Sequence, residues 1–316
     1  MFRVVEEYPR DLAEFERMFR SDEACRQYLA QLRWPEGFRC PRCQQRKAWP
    51  VRAGRLWHCA ACGRQTSVTA GTIFQDTRTP LTTWFRAMWG VTATKSGMSA
   101  LDAQRLLGLR SYTTAWTWLH KLRRAMVRPG RDRLTGRVEV DETYWGAAEA
   151  GVRGRQVVDK LLVAVAVEQV GRRDLGRIRL RQIPDASAAS LEAFVKETVE
   201  PGSTIHTDGW EGYDGLVKAG YRHRVTVLRD RPTTPDLLPR VHRVVGLLKR
   251  WLLGTHQGGV SAAHLDFYLD EFVFRFNRRR SRHRGKLFYR LAQQAVAVGP
   301  RPFKELIRPD HNLLGS

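Results

Sequence analysis

Four of the five cysteines fall into two Cys-x-x-Cys pairs, Cys40-Pro-Arg-Cys43 and Cys59-Ala-Ala-Cys62, with fifteen residues between the pairs. A pair at this spacing turns two thiolates toward one ion. Two pairs make a closed tetrahedral set, which suits structural zinc and leaves no open position for chemistry. The pattern argues for metal rather than a disulfide framework. Between the pairs, Ala48-Trp-Pro-Val51 and Arg55-Leu-Trp-His58 read as the strands of a hairpin. The spacing therefore predicts a zinc ribbon over residues 37–75, with Zn2+ on Cys40, Cys43, Cys59 and Cys62. The competing reading is two unrelated reduced pairs. His58 adjoins Cys59, but four ligands already suffice, so it reads as a surface histidine. Cys25 reads as a buried apolar residue.

A ribbon accounts for little of a 316-residue chain, which is long enough for two or three domains. The 54 Lys and Arg stand against 32 Asp and Glu, a net charge of +22. An excess of this size favours a polyanionic partner, with nucleic acid first and a membrane surface as the rival. The longest apolar run in mid-chain, Leu161 to Val167, is seven residues, far short of a spanning helix. The N-terminal stretch has no signal-peptide apolar core. The expectation is a cytoplasmic protein without membrane association.

Two helical stretches flank the ribbon. Over residues 10–33, Leu12, Phe15, Met18, Phe19, Cys25, Tyr28, Leu29 and Leu32 recur at three- and four-residue steps. Trp34-Pro-Glu-Gly37 then breaks the pattern, which closes an N-terminal helical segment at residue 36. Over residues 76–132, Pro80 starts one helix, Ser99 caps a short second one that ends at Gly108, and a third opens at Ser111 or Tyr112 and runs to about Met126. A short helix, a glycine turn and a longer basic helix resemble a helix-turn-helix, which offers Lys121, Arg123 and Arg124 to DNA. A plain helical bundle is the competing reading.

Two aspartates organise the region beyond residue 132. Val138-Glu-Val-Asp-Glu-Thr-Tyr-Trp145 reads as a strand with Asp141 in its middle. A carboxylate there is costly unless a partner such as a metal compensates it. Ser203 to Asp208 reads as a short strand that ends in an acid, with Gly209 as punctuation. Val157–Val167, Arg177–Ile183 and Tyr221–Val227 are also strand-like, and Ser187–Val199 and Gly212–Ala219 are helical. Three strands, a helix, a strand, a helix and a strand match an RNase H-like fold with a mixed sheet, in which Asp141 and Asp208 lie side by side. We place this domain at residues 133–300 and a tail at 301–316, a multidomain α+β protein. Alone, each aspartate could be a strand end or a turn residue. Glu142 points to the opposite strand face from Asp141. Glu211 and Asp214 open the following helix.

The motifs in order are specific. Gly37-Phe-Arg-Cys-Pro-Arg-Cys43, Val138 to Trp145, Thr207-Asp-Gly-Trp-Glu-Gly-Tyr213, Gly254-Thr-His-Gln-Gly-Gly-Val260 and Tyr268-Leu-Asp-Glu-Phe-Val-Phe-Arg-Phe-Asn-Arg-Arg279 resemble the ISXO-like insertion-sequence transposases of the DDE class. The resemblance runs from about Ser21 to Ala297. It implies a DNA transposase that binds transposon ends and catalyses metal-dependent cleavage and strand transfer by two-metal phosphoryl transfer. Asp141, Asp208 and a third ligand would hold Mg2+ or Mn2+. The substrates would be double-stranded DNA, the inverted-repeat ends and the target. A homo-oligomer on nucleoid DNA is expected because two ends must be joined.

The third ligand departs from the usual pattern. No carboxylate lies between Asp236 and Trp251. Relatives of this group replace the usual glutamate by asparagine or histidine followed by a lysine, and His242 and Lys249 match that variant. Glu271 is the alternative ligand, and a surface histidine is the competing reading of His242. The basic stretch from Arg275 to Arg290, interleaved with Phe276, Leu287, Phe288 and Tyr289, suits a helix along a DNA backbone. With Lys249 and Arg250 it adds Arg275, Arg278, Arg279 and Arg280 as DNA contacts; a solvated charge run is the rival. Two further functional readings remain: a non-catalytic DNA-binding regulator derived from a transposase, and an RNase H-like nuclease.

Overall fold

The computed structural model describes residues 6–128, 130–146, 160–171, 174–227 and 238–307. In chain order the first elements are α1 (Leu12–Met18), α2 (Asp22–Arg33), β1 (Ala48–Val51), β2 (Leu56–Cys59), β3 (Gln65–Ser67), α3 (Leu81–Ala93), α4 (Ala100–Leu107) and α5 (Tyr112–Ala125). Then come β4 (Arg137–Trp145), β5 (Leu161–Val170), β6 (Asp174–Ile183), α6 (Ala188–Thr198), β7 (Thr204–Thr207), β8 (Arg222–Val225), α7 (Pro239–His256), α8 (Leu265–Asn277), α9 (Gly285–Ala295) and α10 (Phe303–Ile307). They form two compact units. One takes the chain up to Arg128 together with the residues from Arg280 on; the other takes Pro129–Arg279.

In the first unit the helix starts follow side-chain capping. Asp11, Ser21, Ser99 and Ser111 each accept the backbone N–H three residues on, and Ser99 with Asp102 completes a capping box. Gly108, at φ 62°, ends α4 in the left-handed conformation, which glycine adopts without cost. The helices share an aromatic core. Phe288 of α9 meets the rings of Phe15, Phe19, Tyr28, Phe85 and Trp89 at centroid distances of 5.3–6.2 Å.

That core corrects two expectations. The catalytic unit ends at Arg279, not at residue 300, because α9 packs with the N-terminal helices. Leu287, Phe288 and Tyr289 are buried there, so they are core residues and do not line a nucleic-acid surface. Of the tail expected at 301–316, residues 308–316 lie outside the described ones.

The second unit is built on a five-stranded sheet in the order β6-β5-β4-β7-β8. β6, β5 and β4 run antiparallel, and β4, β7 and β8 run parallel, the mixed topology of an RNase H-like core. Val163, Val165 and Val167 of β5 face α7 and α8, while Leu162, Ala164 and Ala166 face α6. Burial on both faces explains why this strand reads as an unbroken apolar run. Helix α8 covers the β6 edge: Asp266 Oδ1 accepts the N–H of Gln182 and Asn277 Oδ1 that of Ile178, each at 2.8 Å. An edge strand paired in this way no longer offers those donors to another chain. The expected helix at 212–219 is a 3-10 turn, Glu211–Leu216. Residues 157–159 of the expected second strand lie outside the described ones.

Candidate active site and zinc ribbon

The two cysteine pairs form matching knuckles. The carbonyl of Cys40 accepts the N–H of Gln44 at 2.9 Å, and that of Cys59 the N–H of Gly63 at 3.1 Å. Gln44 and Gly63 both adopt positive φ, 62° and 69°, which turns each loop back on its cysteines. All four Sγ atoms lie within 4.8 Å of one another. Cys40 and Cys62 are 3.6 Å apart, and Cys43 and Cys59 3.5 Å. A tetrahedron with Zn–S bonds of about 2.3 Å has edges of roughly 3.8 Å, so the cage already has the size of a zinc site. The backbone N–H of Cys43 helps to lower the Cys40 thiol to about 6 and that of Cys62 lowers Cys59, whereas burial and the neighbouring sulfurs push Cys43 up to about 12, as expected where four thiols crowd one small cage. Phe38, stacked on Trp57 at 5.7 Å, packs under the site.

The acidic site is built on β4. Side chains alternate along a strand. Glu139 and Asp141 pair with Val167 and Val165, whose side chains face α7 and α8. Val138 and Val140 face α6 instead. Glu142 lies on that side too, where its Oε2 accepts the hydroxyl of buried Tyr213 at 2.9 Å. Asp141 is 16% exposed. Burial first, then the neighbouring charges of Glu142 and Asp208, push its carboxyl up to about 6.

Asp208 stands just past the end of β7, exposed to solvent. The parallel register that pairs Arg137 with Thr204 and Glu139 with His206 carries the same offset on to Asp141 and Asp208. Asp208 Oδ1 accepts the N–H of Trp210 at 3.1 Å. Between them Gly209 sits at φ 89°, where a Cβ would come within 2.8 Å of Val225 and Val227, so the turn needs glycine.

His242 lies in the first turn of α7. Its Nε2 is 3.4 Å from Asp141 Oδ2, and its side chain is 55% exposed. Lys249, half-buried, follows two turns later on the same helix. Glu271 is buried on α8, the helix pinned along β6, with β5 between that strand and β4. Among the described residues the cysteine cage is the only group of three or more such side chains placed to hold a metal ion, its ligand atoms all within 4.8 Å of one another. The donor set itself fits a divalent cation: two carboxylates, one of them desolvated and pressed by like charges, and an imidazole.

One residue absent from the sequence reading is central to this geometry. Glu139 is buried, yet its Oε2 accepts the backbone N–H groups of Arg240 at 2.8 Å and Val241 at 3.1 Å, and its Oε1 takes the Arg240 guanidinium at 2.6 Å. The only sequence signal for it is a second carboxylate two residues before Asp141, on the same strand face.

The expected DNA contacts divide. Arg123 is buried within α5, which turns Ala115, Trp118, Leu119 and Leu122 inward, so it is a core residue and not a DNA contact as expected. Lys121 and Arg124 are half-buried beside it. Arg279 is occupied structurally: its guanidinium donates to the carbonyls of Gly176 at 3.2 Å, Phe276 at 2.9 Å and Leu175, tying the end of α8 to β6. Arg278 lies over the Phe274 ring at 4.0 Å. Arg275 is half-buried, while Arg250 and Arg280 are exposed.

Comparison with known proteins places both parts. Residues 133–277 match the family model of the ISXO2-like transposase domain, and residues 20–65 that of the transposase zinc-ribbon domain. The uncharacterized protein in transposable element ISH50 of Halobacterium salinarum is 26% identical over 281 residues, covering 81% of this chain and 91% of that protein. Among solved structures, the catalytic core domain of BIV integrase is similar with a TM-score of 0.32 at 20% identity, over 46% of this chain and 86% of that one. A chain of the simian T-cell lymphotropic virus intasome, solved in complex with PP2A regulatory subunit B56 gamma, gives 0.34 at 17% identity, over 58% and 70%. No helix among the described residues is long and apolar enough to cross a membrane. The chain thus pairs a segment that matches the transposase zinc-ribbon domain with a later one that matches the ISXO2-like transposase domain, the same two parts that the sequence motifs resemble.

Proposed function

We propose that the protein binds the double-stranded inverted-repeat ends of its own element and carries out their cleavage and strand transfer into target DNA. The observation that carries this reading is His242 Nε2 at 3.4 Å from Asp141 Oδ2, with Asp208 just past the end of the neighbouring parallel strand β7. Asp141 and Asp208 offer carboxylate oxygens and His242 its Nε2 to Mg2+ or Mn2+. When bound, such ions activate the attacking hydroxyl and stabilise the leaving oxygen. In the first step water attacks the phosphodiester at the transposon end and gives up a proton to solvent, while the 3′ oxygen leaves and takes one up. In the second, that 3′ hydroxyl attacks a target phosphodiester, loses its proton, and displaces a target 3′ oxygen. Neither step requires a covalent protein intermediate.

Lys249 faces the same way as His242 along α7 and contacts the phosphate of the end. Exposed Arg250 and Arg280 add sequence-independent backbone affinity, in keeping with the net charge of +22. Because two ends are joined, the working form is a homo-oligomer on DNA in the cytoplasm.

The test is cleavage of labelled inverted-repeat duplex with Mn2+ by wild type, Asp141→Asn and Asp208→Asn. Both variants should lose cleavage while DNA affinity falls by less than about tenfold, or roughly 1.4 kcal/mol. Cleavage near the wild-type rate by either variant overturns the assignment.

A further inference from the structure

We propose that Glu139 is a positioning residue for this reaction, its carboxylate fixing the first turn of α7 so that His242 is held at Asp141. The inference rests on the reading of His242 as the third ligand.

A buried carboxylate is costly unless hydrogen bonds compensate it. The three described bonds that Glu139 accepts all come from Arg240 and Val241, at the start of the helix that carries His242. The first four N–H groups of a helix lack partners within it. Leu238, at the N-cap of α7, supplies no side-chain cap, and Pro239 follows at the first helical position. Glu139 fills that role from a strand of the sheet, so the cap joins β4 to α7. Its negative charge also sits at the positive end of the helix dipole.

The spacing turns this cap into a gauge. Glu139 and Asp141 are two residues apart on one face of β4, roughly 7 Å along the strand. Arg240 and His242 are two residues apart on α7. Glu139 meets the helix mainly through backbone N–H groups and Asp141 meets it through the His242 side chain, so both contacts join one face of β4 to the same first turn of α7. His242 is 55% exposed and reaches Asp141 from that same turn. The backbone of the first turn sets where the imidazole stands, and Glu139 sets that turn.

The experiment is a double-mutant cycle on Mn2+ affinity of the full-length, DNA-free protein, measured by the free-ion EPR signal. Glu139→Gln keeps the shape, but removes the charge and one acceptor. We expect Glu139→Gln and His242→Ala each to weaken Mn2+ binding by about tenfold, and the double variant to bind no worse than His242→Ala alone. In spectra of protein labelled at histidine, Glu139→Gln should shift the His242 ring resonances and leave those of His264 in place. If the two losses multiply, or if Glu139→Gln binds Mn2+ like wild type while His242→Ala is weakened, the positioning role is overturned and the ligand reading stands. If His242→Ala binds Mn2+ like wild type, the ligand reading fails and this inference with it. Should Glu139→Gln not fold, Glu139→Asp, which keeps the charge but shortens the reach to the two N–H groups, serves in the same cycle with the same outcomes.

Discussion

The Nε2 of His242 and the Oδ2 of Asp141 stand 3.4 Å apart, although 100 residues lie between them in the chain and they come from different layers of the unit. On the proposed reading, the imidazole takes the place of a third carboxylate and leaves the set one negative charge short. Imidazole suits transition metals better than magnesium, which prefers hard oxygen donors. Mn2+ should therefore support cleavage at least several-fold better than Mg2+. His242→Glu should narrow that ratio. A matched titration of both ions on labelled ends checks it, and equal rates in the two ions contradict the assignment.

Asp141 makes the metal-free protein pH-sensitive. Its carboxyl is raised from an ordinary value near 4 to about 6, first by burial and then by Glu142 and Asp208. A carboxyl raised on folding favours the native state fully below the unfolded value, and that contribution is lost as pH rises through the folded one. At pH 8 the ionised group then costs about 3 kcal/mol, an order-of-magnitude figure. Asp141→Asn should raise the melting temperature of ion-free protein at pH 8, and the gain should vanish below about pH 4. Added Mn2+ should stabilise wild type and not the variant. A lower melting temperature for the variant at pH 8 contradicts this account.

Removing two ribbon ligands should release the metal. Purified protein should hold about one zinc per chain, and Cys40→Ser with Cys43→Ser should hold none. Elemental analysis reads this directly. Much of the charge lies outside the ribbon, so some salt-dependent binding to unrelated duplex should persist. Stoichiometric zinc in the double variant would show that the cage is not the site.

Two adjacent arginines should behave differently. Arg279→Ala leaves carbonyls of Leu175, Gly176 and Phe276 without this donor and should destabilise the catalytic unit by about 1–3 kcal/mol. Arg280→Ala, at an exposed position, should lower the denaturation midpoint less than Arg279→Ala does and weaken DNA binding mainly at low salt. Chemical denaturation paired with a binding titration separates them. The reverse pattern would undo the assignment of Arg279 to structure.

The sheet order could be read from the chain because strand formers, caps and glycine turns punctuate it clearly. Ser99, Gly108 and Ser187 each mark the boundary their chemistry implies. Charge was the poorer guide. Arg123 and Arg279 look like DNA contacts in sequence, but an arginine can bury its stem and spend its donors on carbonyls, and only the fold reveals which it does. Glu139 was hidden for the opposite reason. Its partners are backbone N–H groups roughly a hundred residues on, which leave no mark in the sequence. Phe288 read as one of several aromatics in a basic run, and its five ring partners come from three helices that close around it only in the folded chain.

The place of Phe288 has a consequence for synthesis. The first unit draws its core from both ends of the chain, whereas the catalytic sheet and its covering helices are contiguous. During translation, every element of the sheet unit has emerged before the ring that fills the aromatic core of the first unit exists. That core must wait, open, until α9 leaves the ribosome. A nascent chain stopped after Arg279 carries the whole sheet unit together with an unfinished N-terminal core, a species for quality-control proteases to recognise.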